Sequence, residues 1–419
     1  MAKIKQVYAR EILNSKAMPT VEATVLLDNG MFGTASCPTG TSVGAHEAVE
    51  IRDNDPARFN GEGVVKVISN ILSEIAPKII GMEVTSQREI DKAMIELDGT
   101  KDKSRLGANA LLPVSIACLK AGAKSVNMPL FAYIRQFTSI GNKPYRIPTP
   151  AFNILNGGKH AGNNLDFQEF MVIPATSMSY PQSLNLAVSI YNSLKKNLQD
   201  KGANTLVGDE GGFGPSFATN RDALIMVSEA ISSSNFRIGY DVFLGMDIAA
   251  NNFFEGGKYK IKDKDSSISS KELVTVYGAL NDEFNLLYLE DPLAEDDWDG
   301  WKELNDLTSK DTLIVGDDLT CTNLERLQMA IEKKAIGAMI VKPNQIGTIL
   351  ETLAVVEVAR NAGLKLIASH RSGDTTDDFM ADFSVGIGSD YVKFGAPARG
   401  ERVAKYNRLL EIDSMLRSS

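Results

Sequence analysis

One stretch of the chain, Thr312 to Gly347, limits the possible folds more than any other. It contains two apolar runs, TLIVG and AMIV, which are rich in β-branched residues and too short to be independent helices. Between them, apolar residues recur at helical spacing, at Leu324, Leu327, Met329, Ala330 and Ile331. We interpret the stretch as a strand, a helix and a second strand, which is the βαβ unit of a parallel sheet.

Each of the two strands runs into a charged residue. The first run is followed by Asp317 and the second by Lys342. A right-handed crossover places these residues at the same end of neighbouring strands. Catalytic residues of α/β barrels and open parallel sheets lie at that end, so the pattern predicts a functional site there.

The same pattern occurs six times along the second half of the chain. Apolar runs end on charged residues at positions 247, 290, 317, 342, 370 and 393, which are 43, 27, 25, 28 and 23 residues apart. Gaps near 25 residues suit one strand and one helix each. A single acid after a strand is more often a helix cap or a solvated loop residue. Six charged ends in succession favour one shared site.

Composition excludes several classes of partner. The chain has 419 residues, enough for a large core and two domains, and its 44 basic and 53 acidic residues give a net charge of −9. This charge argues against nucleic acid or an anionic membrane as the main partner. No apolar stretch reaches the roughly 18 residues of a membrane span, and Met1-Ala2-Lys3 does not begin a signal peptide. The odd count of three cysteines fits a reducing cytoplasm.

The N-terminal third has a different character from the rest. KIKQVYAREIL, PTVEATVLL and MFGTASC predict three strands, with a turn at Asp28-Asn29-Gly30. Helical patterns follow over Gly63–Ile80, Ser86–Leu97 and Ala108–Ser125. We therefore expect an α+β capping domain over residues 1–140, a linker in GNKPYRIPTP, and an α/β barrel over residues 141–419.

Glycine-rich loops in the first half are further candidates for the site. PTGTSVGAHE reads as a flexible lid or a phosphate contact, although such runs are usually simple turns. NGGKHAGNN leads into a strand that carries Gln168 and Glu169, and GDEGGFGP presents Glu210 between glycines.

These residues suggest a specific chemistry. Asp247, Glu290 and Asp317 would supply three oxygen ligands, the pattern expected for Mg²⁺. A zinc site built from the three histidines is conceivable, but the dense carboxylates favour a hard, oxygen-binding ion. A lysine beside a metal can have its pKa lowered and serve as a general base, which would be Lys342. Two further cations, at Arg371 and Lys393, suit a phosphate or a carboxylate.

The residues also resemble a known family over essentially the whole chain. The matching motifs include PTVEATV, NGGKHAGNNLDFQEFM, GDEGGFGP, LEDPLAEDDW, VGDDLTCTN, VKPNQIGT and SHRSGDTTDD. In this combination they resemble the enolase family. The resemblance implies a lyase that reversibly dehydrates 2-phosphoglycerate to phosphoenolpyruvate, with a small α+β cap and an eight-stranded barrel of irregular start.

The resemblance also implies roles for individual residues. Lys342 would remove the C2 proton, and Glu210 would help the C3 hydroxyl leave, with Glu169 beside it and His160 closing over the substrate. The substrate would be held by Gln168, Ser369, His370, Arg371, Ser372 and Lys393. Two Mg²⁺ ions are implied, the first bound by Asp247, Glu290 and Asp317, and the second by Thr39.

Several positions depart from the family pattern. The usual Ser-Gly-Ala-Ser-Thr-Gly loop is Thr39 to Gly44 here, and threonine keeps the hydroxyl of the serine that binds the second ion. The usual Ser-Arg-Gly-Asn-Pro-Thr is Ser15 to Thr20, with Lys16 in place of the arginine. None of these changes removes a catalytic group, so we expect a divergent member of the family.

Assembly is a further expectation from the resemblance. Enolases are usually dimers in which the glutamate of PTVE, here Glu22, meets an arginine on the partner's C-terminal helix. That arginine is replaced by Glu411. We expect a dimer held without this pair or with a shifted contact. Two alternatives to a working enolase remain open: another carboxylate lyase of the superfamily, and a non-catalytic binding protein on the same frame.

Overall fold

The N-terminal strands form the predicted meander. This computed structural model describes residues 1–41, 44–308 and 310–418. Strands β1 (Ile4–Leu13), β2 (Pro19–Leu27) and β3 (Phe32–Ser36) make an antiparallel sheet in the order β1-β2-β3. Gly30 makes the tight turn before β3 with φ of 85°, a conformation that glycine adopts without strain. Ser42 and Val43, in the predicted glycine-rich lid, lie outside the described residues.

In the described part of the cap, five α-helices follow the sheet. They are α1 (Val65–Asn70), α2 (Ala76–Ile79), α3 (Gln87–Asp98), α4 (Ala108–Ser125) and α5 (Leu130–Arg135), with a π-helical turn at Ile71–Ile75 joining α1 to α2. Helix α4 packs against β2 and β3 and is buried over most of its length. A Cβ at Gly33 would lie 2.2 Å from the Ala117 carbonyl oxygen, so this close contact requires glycine.

The remaining strands close into an eight-stranded barrel, which confirms the predicted fold class. The barrel strands are β4 (Thr149–Asn156), β5 (Glu169–Pro174), β6 (Val242–Asp247), β9 (Leu286–Glu290), β10 (Leu313–Gly316), β11 (Ala338–Val341), β12 (Lys365–Ser369) and β13 (Tyr391–Lys393). A small hairpin, β7 (Phe254–Glu255) with β8 (Lys258–Tyr259), lies between β6 and β9 in sequence. It accounts for part of the long first gap in the strand-end pattern.

From β5 onward, one or two helices separate each barrel strand from the next. The α-helices of this part of the chain are α6 (Tyr180–Asp200), α7 (Asn220–Ser233), α8 (Ser270–Phe284), α9 (Trp298–Thr308), α10 (Leu324–Glu332), α11 (Ile349–Asn361), α12 (Phe379–Ile387) and α13 (Gly400–Ser418). Ser179 and Ser269 begin α6 and α8 with capping boxes, which satisfy backbone N–H groups that the helix leaves free. No described helix has both the length and the apolar character needed to cross a membrane.

One barrel strand runs in the opposite direction to the others. Strand β5 is antiparallel to both β4 and β6, whereas the other neighbouring pairs in the barrel are parallel. The start of β5 therefore lies at the same rim as the end of β6, and Glu169 pairs in register with Asp247. This reversal brings residues from the beginning of β5 to the end of the barrel where the other strands carry their charged residues.

Candidate active site

The predicted residues converge on one cavity at the rim of the barrel facing the cap. The cavity is lined by Gly40, Thr41, His160, Gln168, Glu169, Glu210, Asp247, Asp317, Lys342, Ser369, His370, Arg371, Ser372 and Lys393. Of the residues predicted to act here, Glu290 and Thr39 do not line it. The free space is about 20 Å³, because ion pairs between the lining side chains fill the centre.

Lys393 occupies the centre of the acidic side. Its Nζ lies 2.8 Å from Asp247 Oδ2, 2.8 Å from Glu290 Oε1 and 3.3 Å from Glu169 Oε2. Burial favours the neutral amine, but the surrounding carboxylates hold the pKa of Lys393 well above its usual range. Glu290 is therefore part of the site even though it lies just below the cavity surface.

Glu290 is the most deeply buried of the predicted metal ligands. It is fully buried, and it accepts a hydrogen bond from the Tyr288 hydroxyl. Burial and the negative charge of Asp247 raise its pKa to about 8. A carboxyl group in this position is favoured in its ionised form only when positive charge is close by.

Lys342 lies across the cavity in contact with Asp317. Its Nζ donates a hydrogen bond to Asp317 Oδ2, and Gln345 Nε2 donates to Asp317 Oδ1 at 3.1 Å. From the sequence we expected a metal-lowered pKa for Lys342. In the structure burial lowers it, but Asp317 more than compensates and the pKa of Lys342 is raised. The expected pKa depended on a metal ion beside Lys342, whereas here the carboxylate of Asp317 lies against its ammonium group.

Glu210 is held by two histidines on the other side. His370 Nε2 lies 3.0 Å from Glu210 Oε2 and His160 Nδ1 lies 3.9 Å from Glu210 Oε1. Asn153 Nδ2 donates to Glu210 Oε2 at 3.2 Å. Burial opposes ionisation of Glu210, yet the His370 and His160 rings beside it hold its pKa well below the usual range.

Glu169 and Glu210 have pKa values that are shifted in opposite directions. Burial and the negative charge of Glu210 raise the pKa of Glu169 well above its usual range. His160 Nδ1 lies 3.5 Å from Glu169 Oε1 and 3.9 Å from Glu210 Oε1, so the ring stands between the two acids. The two acids and the imidazole thus form one buried group whose members influence each other's proton affinity.

The predicted anion-binding residues are arranged along the loop after β12. Arg371 Nη1 lies 2.8 Å from Glu47 Oε2 and donates to Asn344 Oδ1 at 3.2 Å. Ser372 Oγ is 2.6 Å from Thr41 Oγ1 and accepts from the Thr41 backbone N–H at 2.9 Å. The cap loop therefore meets the barrel at these side chains.

Gln168 and Ser369 complete the lining. Gln168 Nε2 donates to Asp247 Oδ2 at 3.4 Å, and its Oε1 accepts from Asn252 at 3.4 Å. Ser369 Oγ donates to the His370 carbonyl oxygen at 3.0 Å. Both side chains are buried. These positions agree with a role in holding a ligand, which stays a prediction.

Thr39 points away from the acidic side. Its hydroxyl donates to Glu50 Oε2 at 3.2 Å and accepts from Arg52 Nη2 at 3.2 Å. Its backbone pairs with Gly373 at the cap–barrel junction. In this arrangement Thr41, rather than Thr39, presents a hydroxyl to the cavity. The predicted metal role of Thr39 stays a prediction.

Among the described residues, two groups of side chains have ligand atoms within 4.8 Å of one another. The groups are His160–Glu169–Glu210 and Asp291–Asp317–Asp318. Of the predicted ligands, only Asp317 belongs to either group, and Asp247 and Glu290 instead contact the ammonium group of Lys393. The buried oxygen donors at adjacent strand ends nevertheless fit a hard divalent cation, which prefers carboxylate oxygens. The two lysines supply in this structure the positive charge that such an ion would bring.

Four residues of the site were not predicted from the sequence. Two of them, Glu47 and Asn344, contact Arg371. Gln345 contacts Asp317, and Arg402 contacts His370. Glu47 ends the glycine-rich loop, and Asn344 and Gln345 follow Lys342 by two and three residues, so their closeness to candidates was a usable signal. Arg402 lies on a helix and is fully buried, which no sequence pattern indicated.

Fold and site together define a class of protein. An α+β cap covers the rim of an eight-stranded α/β barrel, and buried acids, histidines and lysines meet where the two units join. A protein-family model described as "Enolase, N-terminal domain" matches residues 4–134, and one described as "Enolase, C-terminal TIM barrel domain" matches residues 144–419. The chain belongs to the enolase family. This membership indicates a lyase that acts on a small molecule.

Proposed function

We propose that this protein catalyses the reversible dehydration of 2-phosphoglycerate to phosphoenolpyruvate. The observation that carries the proposal is the placement of Lys342 and the Glu169–Glu210 pair in one cavity, beside Lys393 and the Arg371–Ser372 segment. A base, an acid and cations for a carboxylate and a phosphate are the groups that this reaction requires.

In the forward direction, Lys342 takes the proton from C2 of the substrate. The electron pair left at C2 moves toward the carboxylate, where the ammonium group of Lys393 stabilises the added negative charge. Glu210 then assists departure of the C3 hydroxyl as water, with the proton held by the Glu169–Glu210 pair. Arg371 and Ser372 hold the phosphate. The free volume of the cavity is small, so the substrate must displace existing ion pairs. Arg371–Glu47 is the ion pair that lies nearest the proposed phosphate position.

Mg²⁺ is the proposed cofactor, with two ions for each active site. Asp247, Glu290 and Asp317 would hold the first ion, and Thr39 is the candidate for the second. Bound Mg²⁺ would supply positive charge that makes the C2 proton more acidic, and Asp317 would then ligate the ion instead of contacting Lys342. Without its carboxylate partner, the buried Lys342 favours the neutral amine that a base needs.

Two other functions are less well supported. A different carboxylate lyase of the superfamily would need the acids and Lys342 but not Arg371, Ser372 and Glu210, which line the same cavity here. A non-catalytic binding protein would not need to retain Lys342, Glu210 and the three acids. The retention of both sets favours the dehydratase.

We further propose that the protein works as a homodimer in the cytoplasm, with a small-molecule substrate and no nucleic acid. Three free cysteines support a reducing compartment: Cys37, Cys118 and Cys321, all buried.

The test of the function is turnover of 2-phosphoglycerate, followed by the ultraviolet absorbance of the conjugated enol product, with and without Mg²⁺. Turnover that requires Mg²⁺ supports the proposal. No product at any Mg²⁺ concentration, from folded protein, rejects it.

A further inference from the structure

A second cavity lies at the opposite end of the barrel from the active site. It has a volume of about 500 Å³ and is lined by the starts of β4, β12 and β13, by the linker before β4, and by the loop after α12. Parallel strands begin at this end, and the reversed strand β5 contributes Thr176 from the loop after its last residue.

Basic side chains outnumber acidic ones around this cavity. Its lining contains the cations Arg135, Lys143, Arg146 and Lys365 and one acid, Asp390. Both carboxylate oxygens of Asp390 already have partners. Its Oδ1 lies 2.8 Å from Lys365 Nζ, and its Oδ2 accepts a hydrogen bond from the Leu366 backbone N–H at 3.0 Å. Excess positive charge therefore remains around the cavity.

Two of these cations have no acidic partner. Across the described part of the chain, neither Lys143 nor Arg146 forms an ion pair or a side-chain hydrogen bond, and both are exposed. The whole protein carries a net charge of −9, so a concave basic surface is unusual for its composition. Exposed cations alone would be an ordinary solvated surface, and a binding site requires a buried group as well.

Ser389 supplies that buried group. It is 7% exposed, lines the cavity, and its Oγ has no hydrogen-bond partner among the described residues. Its backbone is fixed, because Gly388 ends α12 in the left-handed conformation and Ser389 N–H donates to the Ser384 carbonyl oxygen at 2.9 Å. A buried hydroxyl without a partner costs free energy unless a ligand or a water binds it.

The linker that carries the two free cations is also held in place. Arg135 Nη1 donates to the Lys143 carbonyl oxygen at 3.0 Å, while its Nε and Nη2 donate to the Gly386 and Val385 carbonyl oxygens at 2.6 and 2.7 Å. The Arg135 guanidinium also lies 4.5 Å from the centre of the Tyr145 ring. One buried arginine thus ties the linker to the end of α12, next to Ser389.

We propose that this cavity binds a small phosphorylated molecule through its phosphate group. Lys143 and Arg146 supply the charge. The Ser389 hydroxyl has almost no accessible surface in this structure, and it donates a hydrogen bond to a phosphate oxygen once its side chain rotates toward the cavity. The concave shape and the acidic remainder of the protein favour a small anion over an extended polyanion. The proposal does not depend on the reaction at the other end of the barrel.

The test uses isothermal titration calorimetry on the full-length chain with two probes, inorganic phosphate and glycerol phosphate. The double variant Lys143→Ser/Arg146→Ser removes the two free cations. The matched control is Lys195→Ser/Lys196→Ser, which removes the same charge from exposed positions on α6. Ser389→Ala removes the buried hydroxyl without changing charge. Circular dichroism of each variant reports that it folds, and any binding at the active site is common to all four proteins.

We expect Lys143→Ser/Arg146→Ser to weaken a phosphate-binding event by at least about tenfold, the scale of one or two charge-assisted hydrogen bonds. Ser389→Ala should weaken the same event by a smaller factor, while the control binds as wild type does. The probe that binds more tightly identifies free phosphate or a phosphate ester as the natural ligand class. Identical isotherms for wild type and Lys143→Ser/Arg146→Ser overturn the proposal, as does an equal loss in the control.

Discussion

His370 Nε2 lies 3.0 Å from Glu210 Oε2 at the centre of the candidate site. The other ring nitrogen, Nδ1, lies 2.8 Å from Arg402 Nη1. Arginine can only donate, so Nδ1 accepts and the proton of the neutral ring is on Nε2, facing Glu210. Burial lowers the pKa of His370 to about 4, which keeps the ring neutral at physiological pH. Arg402 therefore sets the tautomer that faces the proposed acid.

Glu210→Gln should abolish most turnover without unfolding the protein. Glutamine keeps the size of the side chain and can contact His370, but it cannot donate or accept the proton for the leaving hydroxyl. We expect turnover to fall by about 10² to 10⁴, the usual contribution of a general acid or base. Steady-state kinetics and circular dichroism on the purified variant check this. A folded variant that retains more than about one tenth of wild-type turnover would remove Glu210 from the mechanism.

Asp91→Asn should change how stability depends on pH. Asp91 is fully buried, accepts from the Leu350 backbone N–H at 2.9 Å, and burial raises its pKa from 3.8 to about 7. The unfolded chain ionises at the lower value, so the stabilising effect of the protonated form is complete in acid. It is lost as pH rises through about 7. An asparagine does not ionise, so the variant should show a flatter profile.

Chemical denaturation of wild type and Asp91→Asn between about pH 5 and 8 measures this difference, which we expect to be on the order of a few kcal/mol. Glu303→Gln, at an exposed position on α9, is the control and should follow wild type. Parallel pH profiles for all three proteins would show that Asp91 is ionised in the folded state.

The sequence predicted the fold and identified most of the residues that line the candidate site, because the residues at the strand ends form a recognisable pattern. Each charged residue follows a short apolar run, and barrel closure brings such ends together whatever the intervening helices are. The reversal of β5 was not predictable, since an apolar run such as EFMVIP has the same pattern in either direction. Met329 is one of the apolar residues at helical spacing in α10 but is 37% exposed, whereas Leu327 and Ala330 are buried.

Contacts between distant segments were the part that the sequence could not supply. Arg402 lies 32 positions from His370 along the chain, and Glu47 lies 324 positions from Arg371. The pairing of Lys342 with Asp317 also altered the expected pKa, because charge balance depends on which groups are present together. Motifs identify residue types at a site, but only geometry assigns their partners.

Thr39→Ala should raise the Mg²⁺ concentration needed for half-maximal turnover only modestly. The substitution leaves the backbone carbonyl of residue 39, and the Thr39 hydroxyl is shared between Glu50 and Arg52 in this structure. A Mg²⁺ titration of turnover checks this, with Thr20→Ala, a buried threonine on β2 away from the cavity, as the control. A curve identical to wild type would show that the Thr39 hydroxyl takes no part in binding the second ion.

Glu411→Arg should tighten the proposed dimer slightly, most visibly at low salt. Within one chain Glu22 lies 2.6 Å from Arg10 and Glu411 lies 2.7 Å from Arg408, so each glutamate already has a local partner. If the two glutamates meet across the interface, their repulsion is therefore reduced, and the gain from reversing one charge is small. Sedimentation equilibrium at low and high ionic strength measures the dimer dissociation constant. A constant that the substitution leaves unchanged at both salts would show that Glu22 and Glu411 do not meet.

The central claim is that Lys342 removes the C2 proton of 2-phosphoglycerate. The most direct measurement is deuterium incorporation at C2 in heavy water, followed by proton NMR of the substrate, for wild type, Lys342→Ala and the exposed-site control Lys195→Ala. We expect wild type and Lys195→Ala to exchange this hydrogen in the presence of Mg²⁺. Folded Lys342→Ala should be slower by about 10⁴, the upper end for loss of a general base. Exchange by Lys342→Ala at the wild-type rate would contradict the mechanism.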